Sequence, residues 1–167
     1  NIEARLTQLV GDAGKRLRVL WLDAHADFNT STLTPSGNVH GMPVACLCGH
    51  GPKELIEIGG TVPSISPKWV RQIGIRSVDP GEKKFVHEVG LEVFDMRYID
   101  EMGMRHTMEL ALATLHANTH LHVSFDVDFL DPDIAPGVGT LGVVDDDAVA
   151  LREDQLVAVG RDASELA

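Results

Sequence analysis

Apolar positions along the chain fall into short blocks, and their spacing changes from helical to strand-like and back. Ile2, Leu6, Leu9 and Val10 share one face at helical spacing, which predicts a helix over Ile2–Val10 closed by Gly11 and Gly14. Arg18–Leu22 reads RVLWL, a continuous apolar run suited to a strand buried on both faces. The polar stretch Asn29–Gly41, rich in Ser, Thr, Pro and Gly, reads as a long functional loop. Met42–Cys48 is short, apolar and helical in pattern, and Pro52 to Pro67 punctuate an irregular stretch. A strand is predicted over Trp69–Ile75, a helix over Gly81–Val89 and a short strand over Glu92–Asp95. Helical spacing returns over Met104–Ala117, Leu121–Phe125 predicts another buried strand, and Asp147–Val159 a last helix.

Strands alternating with helices imply βαβ units and a mostly parallel sheet. No internal repeat, interdomain linker or low-complexity tract interrupts the pattern. In such sheets the working residues lie just past the carboxyl ends of the strands.

Two strand ends carry carboxylates. RVLWL runs into Asp23-Ala24-His25-Ala26-Asp27, and LHVSF runs into Asp126-Val127-Asp128. While the chain stays extended, residues two apart point to one side, so Asp23, His25 and Asp27 converge while the alanines face away. One Asp-x-Asp after a strand reads equally well as a turn. Two such clusters point instead to a cation, because these carboxylates would otherwise repel one another. Carboxylates with one imidazole favour a hard divalent ion such as Mn²⁺ over zinc. This many ligands suits two ions bridged by shared carboxylates and a water-derived hydroxide.

Composition narrows the picture further. The chain has 167 residues, 44% hydrophobic and 23% charged, which fits a globular protein and argues against wholesale disorder. Asp and Glu number 25 against 14 Lys and Arg, a net charge of −11, the wrong sign for a nucleic-acid partner. No run approaches the roughly 18 apolar residues of a membrane span, and no signal-peptide pattern opens the chain. Cys46 and Cys48 sit too close for a framework disulfide, so the expected setting is reducing and cytoplasmic, with both thiols as small buried hydrophobes. His116, His120 and His122, at a helix end and a strand start, read as structural.

Several motifs resemble one family. DAHADFNT (Asp23–Thr30), SGNVHGMP (Ser36–Pro43), IGIRSVDPGE (Ile73–Glu82), SFDVDFLDP (Ser124–Pro132) and PGVGT (Pro136–Thr140) are similar, in order, to the signatures of the ureohydrolases. Asn29, Ser36 and Asn38 point to the arginase branch. The resemblance spans Val19–Thr140. It implies a three-layer α/β/α fold, a dinuclear Mn²⁺ site, and hydrolysis of L-arginine to L-ornithine and urea by a metal-bridging hydroxide.

Position by position, the resemblance makes Asp23 and Asp126 bridging metal ligands, Asp27 a ligand of one ion, and His25 and Asp128 ligands of the other. Asp27 would also pass a proton from the hydroxide to the leaving amine, and His40 would shuttle protons at the mouth. Asn29, Ser36 and Asn38 would grip the α-carboxylate. Asp79 would hold the α-amino group with Glu82 in support, and His25 and Thr140 would face the substrate. The closing GRDASELA is similar to the family's SLDxxELNP segment, which makes Glu165 the partner of the guanidinium. The family carries a second metal-binding histidine in a GGDHS-like motif upstream of the first of these strands, and none precedes Val19. Residues 1–167 are therefore expected to be one arginase-like domain, incomplete at the N-terminus. The resemblance further implies a homo-oligomer, a trimer or hexamer. A related guanidino hydrolase such as an agmatinase, or a catalytically silent arginase-like subunit, are the competing expectations.

Overall fold

The structure is a computed structural model and describes residues 2–137. Its chain order is α1 (Ile2–Asp12), β1 (Arg16–Leu22), α2 (Pro43–Leu47), α3 (Lys53–Ile56), β2 (Val70–Ile75), α4 (Pro80–Val89), β3 (Glu92–Asp95), α5 (Met96–Met102), α6 (Met104–Leu112) and β4 (Thr119–Phe125). The four strands form one sheet in the order β3-β2-β1-β4, and every pair is parallel. β1 is interior to the sheet and buried from Leu17 to Leu22, with the charged Arg18 buried among apolar residues and Val19–Leu22 forming the apolar run that predicts it.

Apolar clusters cover the two faces of the sheet. On one face Val19, Trp21 and Val70 pack with Ala4 and Val10 of α1 and Val86 of α4. On the other, Leu20, Leu22, Ile73 and Phe94 pack with Met96 and Ile99 of α5 and Met104 and Ala111 of α6. Helices on both sides of a parallel sheet make the three-layer arrangement expected from the sequence.

Ile73 and Ile75, two apart in β2, belong to opposite clusters. The β2–β3 register shifts between them, and Gly74 at the break has φ +87°. A bulge with glycine in the left-handed region turns the following residues over. A side chain at Gly74 would also strike the Phe129 ring, 2.4 Å from an ideal Cβ.

Four departures from the sequence pattern stand out. The helix predicted over Met104–Ala117 ends at Leu112, and Thr114 has φ +69°. His116 therefore lies in the following turn rather than at a helix end. α5 was not foreseen; Asp95 caps it by accepting the Tyr98 N–H at 2.8 Å, and Gly103 (φ +83°) separates it from α6. β4 is not buried on both faces: it pairs only with β1 among the described residues, and Leu121, Val123 and Phe125 are exposed. α3, within the stretch read as irregular, is one turn opened by Pro52. The predicted helix Asp147–Val159, together with Thr140 and Glu165, lies outside the described residues.

Candidate metal centre

β1 and β4 lie side by side in register, with Leu22 opposite Phe125. Both therefore end at the same level, and the Asp126 N–H donates to the Leu22 carbonyl at 2.9 Å. That pairing brings the two carboxylate motifs together.

Asp23, His25 and Asp128 form the tightest group: each offers a ligand atom, and all of these lie within 4.8 Å of one another. His25 Nδ1 is 3.0 Å from Asp128 Oδ2 and 3.5 Å from Asp23 Oδ1. Asp23 is buried, and both of its oxygens have donors. The Trp21 indole Nε1–H donates to Oδ2 at 3.0 Å, and the His25 backbone N–H to Oδ1 at 2.7 Å. Asp128 accepts the Ala24 N–H at 3.2 Å, which ties β4's motif to β1's. Asp126 caps the turn that follows it by accepting the Asp128 N–H at 3.0 Å. Arg76 Nη1 and Nη2 donate to the carbonyls of Asp128, Phe129 and Leu130 and hold that turn in place.

The alternation read from the sequence stops before Asp27. Asp27 has φ +50°, and its carbonyl accepts the N–H groups of Val44 at 3.0 Å and Ala45 at 3.3 Å, at the start of α2. Its side chain still lines one cavity with Asp23, His25, Asp126 and Asp128. Burial first, then the neighbouring Asp23 charge, pushes the Asp27 carboxyl up to about 8. Burial likewise raises Asp128, and His25 is raised chiefly by its hydrogen bond to Asp23. Carboxylates crowded and buried in this way fit a bound divalent cation, whose charge would favour their ionised form. The donor set present, carboxylates with one imidazole, fits a hard divalent ion.

A cavity of about 450 Å³ gathers the remaining candidates, lined by Asp23, His25, Asp27, Asp126 and Asp128 at one end. Asn29, Ser36, Asn38, His40, Asp79 and Glu82 line the rest. Asn29 Nδ2–H donates to Asp79 Oδ2 at 3.0 Å, joining two residues from separate loops. Ser36 Oγ accepts the Asn38 N–H at 3.2 Å, and Ser36, Asn38 and His40 are all exposed at the rim. Glu82 is buried, with both oxygens engaged: Oε1 accepts the Phe28 N–H at 2.8 Å and Oε2 the Asp79 N–H at 3.3 Å. It completes a capping box with Asp79 at the start of α4. Thr140 and Glu165 lie outside the described residues.

Sequence reasoning missed Trp21, Arg76 and the position of Gly74. Trp21 sits in an apolar run and carries no mark of its polar contact. Arg76 had a signal, a cation immediately after the predicted end of a parallel strand.

A model of the Arginase family matches residues 3–144. An arginase from Bacillus caldovelox is 50% identical over 127 residues, 75% of this chain and 42% of that protein. The crystal structure of an arginase from Bacillus subtilis superposes with a TM-score of 0.71 at 48% identity, over 74% of this chain and 42% of that one. A structure of Entamoeba histolytica arginase in complex with L-ornithine superposes with a TM-score of 0.63 at 34% identity, over 75% of this chain and 44% of that one. The chain thus spans less than half the length of these relatives.

Proposed function

The chain belongs to the arginase family, and on that premise we propose that it serves an enzyme hydrolysing L-arginine to L-ornithine and urea. The observation that carries this reading is the meeting of Asp23, His25 and Asp128 at adjacent strand ends, in a cavity shared with Asp27, Asp126 and the polar loop.

Asp23, Asp27, Asp126, Asp128 and His25 would hold two Mn²⁺ ions. Bound divalent ions supply Lewis-acid activation of water near neutral pH. Asp27 holds a proton at its carboxylate and delivers it to the leaving amine. Its half-buried place in the shared cavity supports that role. His40, exposed at the rim, exchanges protons with solvent.

Recognition divides between the two ends of the substrate. Asn29, Ser36 and Asn38 donate hydrogen bonds to the α-carboxylate, and the Asp79 carboxylate pairs with the α-amino group. The Asn29–Asp79 hydrogen bond fixes these two contacts relative to each other. Glu82 holds the Asp79 backbone from behind. Thr140 and Glu165 are assigned to the guanidinium end on the resemblance alone. The resemblance also carries a homo-oligomer, a trimer or hexamer, and the close spacing of Cys46 and Cys48 carries a reducing, cytoplasmic setting. Among the described residues no helix is long and apolar enough to cross a membrane.

The test is urea release from L-arginine and from agmatine by the Mn²⁺-loaded protein, with a metal count on the same sample. Arginine-selective release with about two ions per chain supports the reading. Equal rates on agmatine would remove the α-carboxylate assignment, and metal binding without urea would mark a silent subunit.

A further inference from the structure

A second cavity, of about 520 Å³, lies behind the metal centre. That volume falls within the range of small-molecule sites. Its apolar wall is built by Ile75, Val78, Val86, Leu91 and Val93. Arg76, Lys83 and Arg97 add the cationic side, with the His87 imidazole beside them and Asp95 the single carboxylate. In a chain of net charge −11, this concentration of positive groups runs against the average.

These groups are compensated unequally, and Lys83 is the one left without a carboxylate partner among the described residues. Asp95 Oδ1 is engaged by the Tyr98 N–H, and Arg97 pairs with Glu101 at 2.9 Å on the surface. Arg76 gives its Nη groups to backbone carbonyls, and the nearby charges of Asp128, Asp131 and Asp23 offset part of its own. Lys83 has no ion-pair partner among the described residues and stands exposed on α4. Positive charge over an aliphatic wall is complementary to an anion with an apolar body.

The two cavities share a wall. His25 and Ser77 form a parallel bridge between the segments after β1 and β2, and both face the metal centre. Ala26 and Val78, next to them in the chain, line the second cavity instead. α4 is divided in the same way, with Glu82 toward the metal centre and Lys83, Val86 and His87 toward the second cavity. Arg76 lines the second cavity while holding the Asp128–Leu130 carbonyls.

We propose that this second cavity is an effector site for a small organic anion with a short aliphatic body, coupled to the metal centre through the Ala26 and Val78 wall. The anionic group lies by Arg76 and Lys83, and the aliphatic part lies against Ile75, Val86 and Leu91. Because coupling is reciprocal, an occupant that shifts Mn²⁺ affinity must itself bind with an affinity that depends on Mn²⁺.

Calorimetric titration of the protein with hexanoate, hexanamide and hexylamine tests the site. Saturable binding of hexanoate, with the amide and amine at least about tenfold weaker, is expected from the charge of the wall. Lys83→Glu combined with Arg97→Gln, two exposed positions outside the metal centre, should weaken hexanoate by a similar factor. Equal binding of acid and amide overturns the proposal, as does hexanoate binding indifferent to the double variant, which would place the carboxylate on the metals. A Mn²⁺ titration with and without saturating hexanoate reads the coupling: a shift of about fivefold or more supports it, and an unmoved midpoint overturns the effector role. The hexanoate comparison does not depend on the proposed activity. Failure of Mn²⁺ to bind at all would count against the metal reading and leave the anion site to be judged alone.

Discussion

The indole of Trp21 donates its Nε1–H to Oδ2 of Asp23 at 3.0 Å, across one intervening residue at the end of the central strand. Both residues are buried, so the bond holds the carboxylate in one orientation and offsets part of its desolvation. Outer partners of this kind fix how a ligand faces its metal.

Trp21→Phe keeps the ring's apolar contacts and removes this donor. Mn²⁺ affinity should fall by about 10–100-fold, the usual cost of losing such a partner. Unfolding in urea should show a loss of about 1–3 kcal/mol, because a buried carboxylate oxygen is left without its donor. Wild-type Mn²⁺ affinity in the variant would separate Trp21 from the metal centre.

The parts of this site legible in the sequence are those governed by period two. RVLWL and LHVSF each end in a carboxylate motif, and parallel pairing in register sets the motifs side by side. What stayed hidden depends on partners distant in sequence. Gly74 reads as an ordinary strand glycine until Phe129, contributed by the far end of the described chain, occupies the space its Cβ would take. The turn at Asp27 is set by the N–H groups of Val44 and Ala45, across the whole intervening loop. α5 escaped for another reason: Met96–Met102 is too short for periodicity to register, and only the Asp95 cap marks it.

Asp126→Asn tests the assignment of a bridging ligand. Asn retains the oxygen that can accept the Asp128 N–H, so the turn should persist. The charge needed to hold two cations is lost. Urea release should drop by more than the roughly 100-fold typical of an outer-shell change. Activity near wild type, measured with saturating Mn²⁺, would contradict the assignment.

Gly74→Ala should be among the most damaging single substitutions in the sheet. A Cβ at φ +87° is strained by itself, and this one would press on the Phe129 ring, beside the carbonyls held by Arg76. Left-handed strain with overpacking predicts a loss of about 2–4 kcal/mol in denaturant unfolding. A loss under about 1 kcal/mol would mean the bulge relaxes.

Cys48 gives a pH prediction clear of the metal centre. Burial pushes its thiol up to about 12, against an ordinary value of 9.0. The unfolded chain therefore releases this proton first as pH rises, and the contribution of Cys48 to stability, full below about 9, declines between about 9 and 12. Iodoacetamide at pH 8 should leave Cys48 unmodified in the folded protein and label it in guanidinium. Mass spectrometry of the peptide reads the result, and rapid labelling of the folded form would place the thiol at the surface.

Glu82→Gln separates holding the site from contacting the substrate. The carboxylate accepts two backbone N–H groups, from Phe28 and Asp79, and an amide has only one oxygen to offer. One donor then faces an NH₂ group, at a cost of about 1–3 kcal/mol in this buried place. The segment most affected carries Asn29 and Asp79, whose hydrogen bond sets the spacing of the proposed α-carboxylate and α-amino contacts. The metal group of Asp23, His25 and Asp128 is anchored separately, by Trp21, Ala24 and the β1–β4 pairing. KM for arginine should therefore rise about tenfold while kcat stays within a few-fold, the signature of lost uniform binding. A fall in kcat with KM unchanged would place Glu82 in the chemistry instead.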